Sequence, residues 1–160
     1  MIGRFMDEHV EIINATGDLR RAVEGGDADE CRRGVEAVAG LLGPHTGAEE
    51  VGLFSVMKKQ DEFVDYVTQL CGEHVGLDDL LECVATEPDP TLRHQVFDLF
   101  EDALRAHIDR EDNSLFPAAA VSLVGPDWDE IDTLTHEYDH GTGRAHAHEP
   151  RTHEPHALHD

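Results

Sequence analysis

Two segments of the sequence repeat a set of side chains that can bind metal ions. Residues 45–54 and 107–116 each begin with a histidine, continue with two adjacent acids and end with a Leu-Phe pair, at the same internal spacing. A glutamate followed by a histidine precedes each segment, as Glu8-His9 and as Glu73-His74. Repetition of both features predicts that the chain consists of two related helix pairs.

The spacing within each repeat suits chelation of an ion by a helix. Residues i and i+4 of an α-helix lie on one face, so each repeat places its histidine beside its first acid. If the two helix pairs pack antiparallel, a histidine from each of the other two helices enters the same interior. The sequence therefore predicts a dinuclear metal centre. Its expected ligands are His9, His45, Glu49, His74, His107 and Glu111.

The donor atoms indicate which metals such a centre would accept. Imidazole nitrogen and carboxylate oxygen without thiolate suit iron, manganese or zinc, and the share of histidine favours iron over magnesium or calcium. Carboxylates can bridge two ions, and two bridging glutamates with an oxo or hydroxo group would offset much of the charge of two ferric ions. We therefore expect two iron ions, oxo- or hydroxo-bridged, as the cofactor.

The hydrophobic pattern predicts the helices that must position these ligands. Helical periodicity dominates and the alternation typical of strands is missing, which predicts an all-α fold. Helices are expected at about 2–23, 27–57, 60–84 and 91–112, with a short fifth helix at about 127–138. Pro44 is expected to kink or briefly interrupt the second helix, and Phe116-Pro117 to end the fourth. Short connections favour an antiparallel up-down four-helix bundle formed by residues 1–140.

The last twenty residues, 141–160, differ from the rest in composition. They are rich in Gly, Pro, His, Glu and Ala and contain one large aliphatic residue, so we expect a flexible, disordered tail. Its histidines either bind divalent metal loosely or form no specific site. They are His146, His148, His153, His156 and His159.

Composition narrows the partners and the compartment. With Asp+Glu 35 against Lys+Arg 12, the formal net charge of -23 disfavours binding to nucleic acid or to anionic membranes. No apolar stretch approaches the roughly 18 to 20 residues that span a bilayer, and the first residues are acidic where a secretory leader would be apolar. The cysteines Cys31, Cys71 and Cys83 are odd in number and are expected to be reduced thiols. We therefore expect a cytoplasmic protein.

The whole pattern resembles the hemerythrin-like family, and specifically its H-H-E cation-binding domains, over roughly residues 1–117. The resemblance implies a non-haem di-iron helical bundle in which the six expected ligands match the ligand positions of the family. Glu49 and Glu111 would then be the bridging carboxylates.

Two positions depart from the pattern of the oxygen-carrying hemerythrins. Those proteins have a second histidine four residues away on the third helix, where this chain has Asp78 after His74. Asp78, water or no ligand at all could take that place, which puts reversible oxygen carriage in doubt. On the fourth helix either Glu111 or Asp112 could be the ligand, and Glu111 is preferred because it corresponds to Glu49.

Other polar residues are expected to lie outside the centre. His136 and His140 have helical spacing but no repeated partner, and a peripheral, incidental site is expected there. His94 lies on the opposite side of its helix from His107 and is expected in solvent. Tyr66 and Tyr138 could supply a phenolate or a hydrogen bond near the metals, although packing is the expected role of each.

Three functions remain open from the sequence. The first is a redox protein or enzyme whose metals bind O2, peroxide or nitric oxide, with peroxide removal as one outcome. The second is a sensor of oxygen or iron that is read by a separate, unidentified protein, and the third is iron storage or buffering. No general base or nucleophile stands apart from the ligands, so any catalysis would be that of the metal.

Overall fold

The computed structural model describes residues 1–143, which are helical nearly throughout and contain no strand. The helices are α1 (Ile2–Gly25), α2 (Ala28–Glu49), α3 (Ser55–Met57), α4 (Asp61–Thr86), α5 (Pro90–Arg110), α6 (Phe116–Ser122) and α7 (Gly125–Thr142). The all-α prediction is confirmed. No helix within residues 1–143 is both long enough and apolar enough to cross a membrane.

Short, well-capped connections join the long helices. After α1, Gly26 adopts a left-handed conformation with φ 75°, which glycine tolerates best, and its N–H bonds back to the last turn. Asp27 then caps α2 by accepting from the backbone N–H groups of Asp29 and Glu30. Asp89 caps α5 in the same way. These caps satisfy amides that a helix end leaves without partners, so the reversals before α2 and before α5 are locally encoded.

Four long helices surround two apolar clusters. Helix α1 packs on α2, α4 packs on α5, and the two pairs meet through α2 with α4 and α1 with α5. The first core cluster comprises Phe5, Ala48, Leu53, Phe54, Val56, Met57, Val67, Leu70, Leu115, Phe116, Ala119, Leu123 and Ile131. The second core cluster comprises Ile12, Leu19, Val23, Cys31, Val35, Val38, Leu42, Leu77, Leu81, Val84, Phe97, Phe100 and Leu104. Since α1 and α4 start in the first cluster and α2 and α5 start in the second, successive long helices run in opposite directions.

A π-helical turn occurs at the acidic end of each predicted chelating pair, which the sequence pattern did not predict. The first π turn is Glu50–Phe54 and continues α2 into α3. The second π turn is Glu111–Leu115 and continues α5 into α6. A π turn places one more residue in the turn than an α-helix and often occurs at functional sites. In both repeats it lies where the chain passes from the histidine to the buried Leu-Phe pair.

Three expectations about helix boundaries were wrong. The brief interruption at Pro44 does not occur, since α2 remains helical from Ala28 to Glu49, and a kink there stays a prediction. The chain also stays helical through Phe116-Pro117, because the second π turn leads directly into α6 and the proline removes only the one bond of its missing N–H. The fifth helix is longer than expected, since α7 extends to Thr142 and includes two residues that were assigned to the tail. Residues 144–160, with all five tail histidines, lie outside the described residues.

Helix α7 packs against α2 and the first π turn. Two glycines allow this approach. A Cβ at Gly47 would lie 2.0 Å from the Tyr138 hydroxyl, and a Cβ at Gly52 would lie 2.4 Å from Thr135 Oγ1. Tyr138 therefore has the packing role expected from the sequence, and α7 is seated directly on the segment that follows His45.

Candidate metal centre

All six predicted ligands are buried in the layer between the two core clusters. On α1, His9 lies between Phe5 of the first cluster and Ile12 of the second. The histidines of α2, α4 and α5 occupy the corresponding places on their helices. All six side chains are at most 3% exposed. Such burial of polar groups is costly unless each finds a partner.

The six side chains form two groups of possible ligands that share both glutamates. The first group is His9, His45, Glu49 and Glu111, and the second is Glu49, His74, His107 and Glu111. Within each group the potential ligand atoms lie within 4.8 Å of one another. Each group therefore combines two imidazoles from one half of the chain with one carboxylate from each half.

Each glutamate directs one oxygen into each group. Glu49 Oε1 lies 3.3 Å from His45 Nε2, whereas Glu49 Oε2 lies 3.6 Å from His74 Nε2. Glu111 is arranged conversely, with Oε2 at 3.1 Å from His9 Nε2 and Oε1 at 3.3 Å from His107 Nε2. Two donors about 2.1 Å from one ion are about 3 Å apart at a right angle and about 4.2 Å apart across it. The spacing therefore fits one cation in each group.

A carboxylate accepts a hydrogen bond from the Nδ1 atom of every histidine in the centre. Sequence patterns assigned no such role to these acids. The pairs are His9 with Asp112 at 2.9 Å, His45 with Glu8 at 2.8 Å, His74 with Glu50 at 2.8 Å and His107 with Glu73 at 2.9 Å. A carboxylate can only accept, so Nδ1 holds the proton and the Nε2 lone pair faces the interior. This arrangement orients imidazoles for metal binding and increases their basicity.

Six of the eight inward-facing ligand atoms lack hydrogen-bond partners. Both oxygens of Glu49 and Glu111 and the Nε2 atoms of His9 and His45 are buried without a partner. Across the centre, His74 Nε2 lies 3.1 Å from His107 Nε2. With both Nδ1 atoms protonated these two nitrogens present lone pairs to each other, which is unfavourable without a cation between them. Buried polar groups are nearly always satisfied, so the donor set fits bound cations.

Two of the outer carboxylates, Glu8 and Glu73, are stabilised in their ionised form. Burial acts to raise the pKa of Glu8, but hydrogen bonds from His45 and Arg4 outweigh burial and lower the pKa to about 2. The pKa of Glu73 is also lowered, because its hydrogen bonds, the first of them from His107, outweigh burial. Both acids therefore remain acceptors at neutral pH.

Inside the centre, burial has the opposite consequence. Burial raises the pKa of Glu49 well above its ordinary value, and the negative charge of Glu111 raises it further. Burial also lowers the pKa of His45, which favours the neutral imidazole that binds metal. The centre thus disfavours bare negative charge on Glu49, and a cation would compensate that charge. The pKa of Glu111 is instead lowered, because its interactions with His107, His74 and His9 outweigh burial.

Phenylalanines cover the imidazoles on the side of the first core cluster. Phe116 stacks on His9 with ring centroids 5.8 Å apart, and Phe54 stacks on His74 at 5.5 Å. Both belong to the repeated Leu-Phe pairs, and Phe5 adds an edge contact to His45 at 5.7 Å. These rings exclude water from one side of the two groups.

Asp78 and Asp112, the two alternative ligand candidates, belong to neither group. Asp112 uses Oδ1 to accept from His9 Nδ1, so it faces the outer nitrogen of that ring. Asp78 lies exposed on α4. Glu111 is the fourth-helix acid that enters both groups, in agreement with its correspondence to Glu49.

The other polar candidates lie away from the centre, as the spacing predicted. His94 is half-buried, with its side chain 43% exposed, and its Nε2 lies 3.7 Å from Asp98 Oδ1. His136 and His140 are exposed on α7, with ring centroids 4.1 Å apart. Tyr66 donates its hydroxyl to the backbone oxygen of Arg110 at 3.2 Å, which ties α4 to the end of α5.

The carboxylates that hold the Nδ1 atoms carry a signal in the sequence. Glu8 and Glu73 recur before the first histidine of each half, and Glu50 and Asp112 recur after each inner glutamate. Repetition of an acid without an assigned role could have identified all four. Their partners could not have been identified, because three of the four bonds join residues that are more than 30 positions apart and the fourth joins residues 24 apart.

Comparison with known proteins identifies the family. A model of the hemerythrin HHE cation-binding domain matches residues 1–119, which include both repeats and all six buried ligand candidates. No curated protein and no solved structure matches the chain. Because the match extends over most of the chain and contains the whole centre, the protein belongs to the hemerythrin HHE cation-binding domain family.

Proposed function

We propose that the protein is a non-haem di-iron protein whose centre binds or reacts with O2, peroxide or nitric oxide. The observation that carries the proposal is the pairing of two ligand groups that share Glu49 and Glu111 and whose inward atoms lack hydrogen-bond partners. Each group would hold one iron ion, with the two glutamates bridging them. Asp78 and Asp112 are not needed as ligands in this arrangement.

The donor chemistry supports iron. Each group offers two imidazoles and two carboxylate oxygens. Non-haem iron is commonly bound by histidines and carboxylates with positions left open for small ligands. Bound iron would supply those open positions and the electrons that O2 or peroxide chemistry requires. A small diatomic molecule or peroxide is therefore the proposed ligand.

The residues of the chain would bind, orient and shield the metals. The outer carboxylates keep each imidazole in the tautomer that directs Nε2 inward. Phe54 and Phe116 keep water from one side of the rings. We propose that the four long helices act as an antiparallel up-down bundle that holds these groups rigid, which their contacts and alternating directions support. Peroxide consumption is the enzymatic activity that such a centre would most directly provide.

A cytoplasmic location is part of the proposal. Cys31 is buried, Cys71 is half-buried and Cys83 is exposed, and none of the three forms a disulfide. Thiols in this state suit a reducing compartment.

Metal analysis combined with peroxide titration tests the proposal. The purified protein, loaded anaerobically with Fe²⁺, should bind two equivalents per chain and change its optical spectrum when peroxide is added. His74→Ala should remove one equivalent and the reaction with peroxide, because it removes an imidazole from the second group. His94→Ala is the matched control, since His94 is a half-buried histidine on a neighbouring helix and belongs to neither group. Unchanged stoichiometry and turnover in His74→Ala would contradict the assignment.

A further inference from the structure

A chain of side-chain bonds connects α7 to the first ligand group. Asp139 on α7 accepts from both terminal nitrogens of Arg4, at 2.6 and 3.0 Å. Arg4 Nε donates to Glu8 Oε1 at 2.8 Å, and Glu8 Oε2 accepts from His45 Nδ1 at 2.8 Å. Arg4 and Asp139 are 19% and 15% exposed, so water screens this charge-assisted, bidentate pair only in part. A continuous series of hydrogen bonds therefore runs from α7 to the ring of His45.

Within residues 1–143, no such chain of side-chain bonds connects α7 to Glu73, the outer carboxylate of the second ligand group. Glu73 occupies the place of Glu8 in the other half of the chain, and it accepts from His107 and from Arg110. Gln69 takes the position that corresponds to Arg4, four residues before the acid, and donates to Glu73 at 3.0 Å. Among the residues that the structure describes, Glu73 is thus held by residues of α4 and α5. The two halves are alike in their ligands and differ in what fixes one of their outer carboxylates.

Close packing fixes α7 in the place where this chain of bonds can form. Tyr138, one residue before Asp139, occupies the space that a side chain at Gly47 would need. Thr135 does the same at Gly52, inside the first π turn. Gly47 and Gly52 flank Glu49, so α7 touches the segment that carries a shared ligand. The residues matched to the family end at 119, before α7 begins at Gly125.

We propose that Asp139 and Arg4 are positioning residues which, through Glu8 and His45, strengthen metal binding by the first ligand group when α7 is docked, while these two residues do not act on the carboxylate that holds His107 in the second group. This inference rests on the proposed two-metal function. It makes the two metal positions unequal in affinity although their ligand sets are equivalent.

The dependence must also operate in reverse. If docking of α7 strengthens metal binding by the first group, metal in that group stabilises docking of α7 by the same factor. Trp128 reports this docking, because it is the single tryptophan of the chain and packs, partly buried, on the first core cluster from α7. Filling the first group should therefore make the fluorescence of Trp128 more resistant to urea. Zn²⁺ is the suitable ion, since it has no absorption that would quench tryptophan.

Variants with a single remaining ligand group provide the test. His107→Ala leaves the first group intact and His45→Ala leaves the second. In the His107→Ala background, Asp139→Asn should weaken Zn²⁺ binding by about three- to tenfold, which is less than the roughly 10- to 100-fold expected for the outer carboxylate itself. In the His45→Ala background the same change should leave the dissociation constant within about twofold. Asp132→Asn, which removes an exposed charge from the same helix, should change neither background.

Further measurements separate this inference from general loss of structure. Asp139→Glu, which keeps the carboxylate, should recover part of the affinity in the His107→Ala background. In the otherwise unaltered protein, Asp139→Asn should shift one of the two stepwise Zn²⁺ affinities, with helicity by circular dichroism unchanged. An equal effect on both affinities, or on neither, would overturn the inference. Binding of fewer than two equivalents by the unaltered protein would instead contradict the two-metal function itself.

Discussion

Replacing Glu49 by glutamine should stabilise the metal-free protein and destabilise the metal-loaded protein. Glu49 is 0% exposed, and neither of its oxygens has a hydrogen-bond partner. Without metal, its carboxylate also faces the negative charge of Glu111. Glutamine has nearly the same shape, carries no charge, and has an N–H group that can donate to the Nε2 lone pair of His45 or His74. With metal bound, the same change removes an anionic ligand from both groups.

The structure sets the size of both effects. Leaving a buried polar group unsatisfied costs about 1 to 3 kcal/mol, so relief of that cost should raise the metal-free unfolding free energy by about that amount. Each bound ion raises the unfolding free energy by about 2.7 kcal/mol when the free ion concentration is 100 times the dissociation constant. Glu49 contributes one oxygen to each group. If both groups therefore bind metal 100-fold more weakly, the unfolding free energy of the metal-loaded protein should fall by roughly 5 kcal/mol.

Urea unfolding at neutral pH, followed by circular dichroism with and without Co²⁺, measures both effects. Glu101→Gln is the matched control, because Glu101 is also a buried glutamate at 7% exposure but accepts hydrogen bonds from Arg20 and Arg105. Glu101→Gln should lower the unfolding free energy by about 1 kcal/mol, equally with and without Co²⁺. If Glu49→Gln lowers the stability of the metal-free protein, or leaves the gain from Co²⁺ intact, Glu49 is a structural residue and the reasoning fails.

Three further predictions concern residues outside the ligand groups. Burial acts to raise the pKa of Glu101, but the hydrogen bonds from Arg20 and Arg105 outweigh it and lower the pKa. The difference in unfolding free energy between the unaltered protein and Glu101→Gln should therefore be fully present above about pH 4.5 and disappear as the pH falls through the lowered pKa of Glu101. Urea titrations of both proteins at several pH values measure this difference. Thr135→Val should raise the melting temperature, because Thr135 Oγ1 is buried without a partner, and a lower value would contradict this. Gly52→Ala should lower the unfolding free energy measured in urea by about 1 to 3 kcal/mol, because its Cβ would meet Thr135. Gly40→Ala, whose Cβ would lie in open space, should raise it by up to about 1 kcal/mol. Equal effects of the two changes would be inconsistent with close docking of α7.

The sequence could predict the features that depend on spacing along one helix. Residues four positions apart share a helical face wherever the helix lies, so His45 with Glu49 follows from the sequence alone. The recurrence of the same spacing at His107 and Glu111 indicated a second, equivalent face. Helical periodicity likewise indicated an all-helical chain, because the period of the apolar residues is set within each segment.

The features that the sequence missed depend on contacts between distant segments. The π turns after Glu49 and Arg110 were not predictable, since their extra residue is accommodated only when the following Leu-Phe pair finds its place in the core. Pro44 did not interrupt α2, because packing of the surrounding helix outweighs the loss of one backbone bond.

Sequence by itself determined which side chains of each helix can act together, because α-helical geometry is local and repeats every few residues. Tertiary structure alone decided which helices meet. It joined Glu49 and Glu111 to histidines of both halves, gave each Nδ1 atom a carboxylate from another helix, and placed Asp139 of α7 against Arg4. Such partners are selected by the packing of whole helix faces, and no spacing within a single helix contains that information.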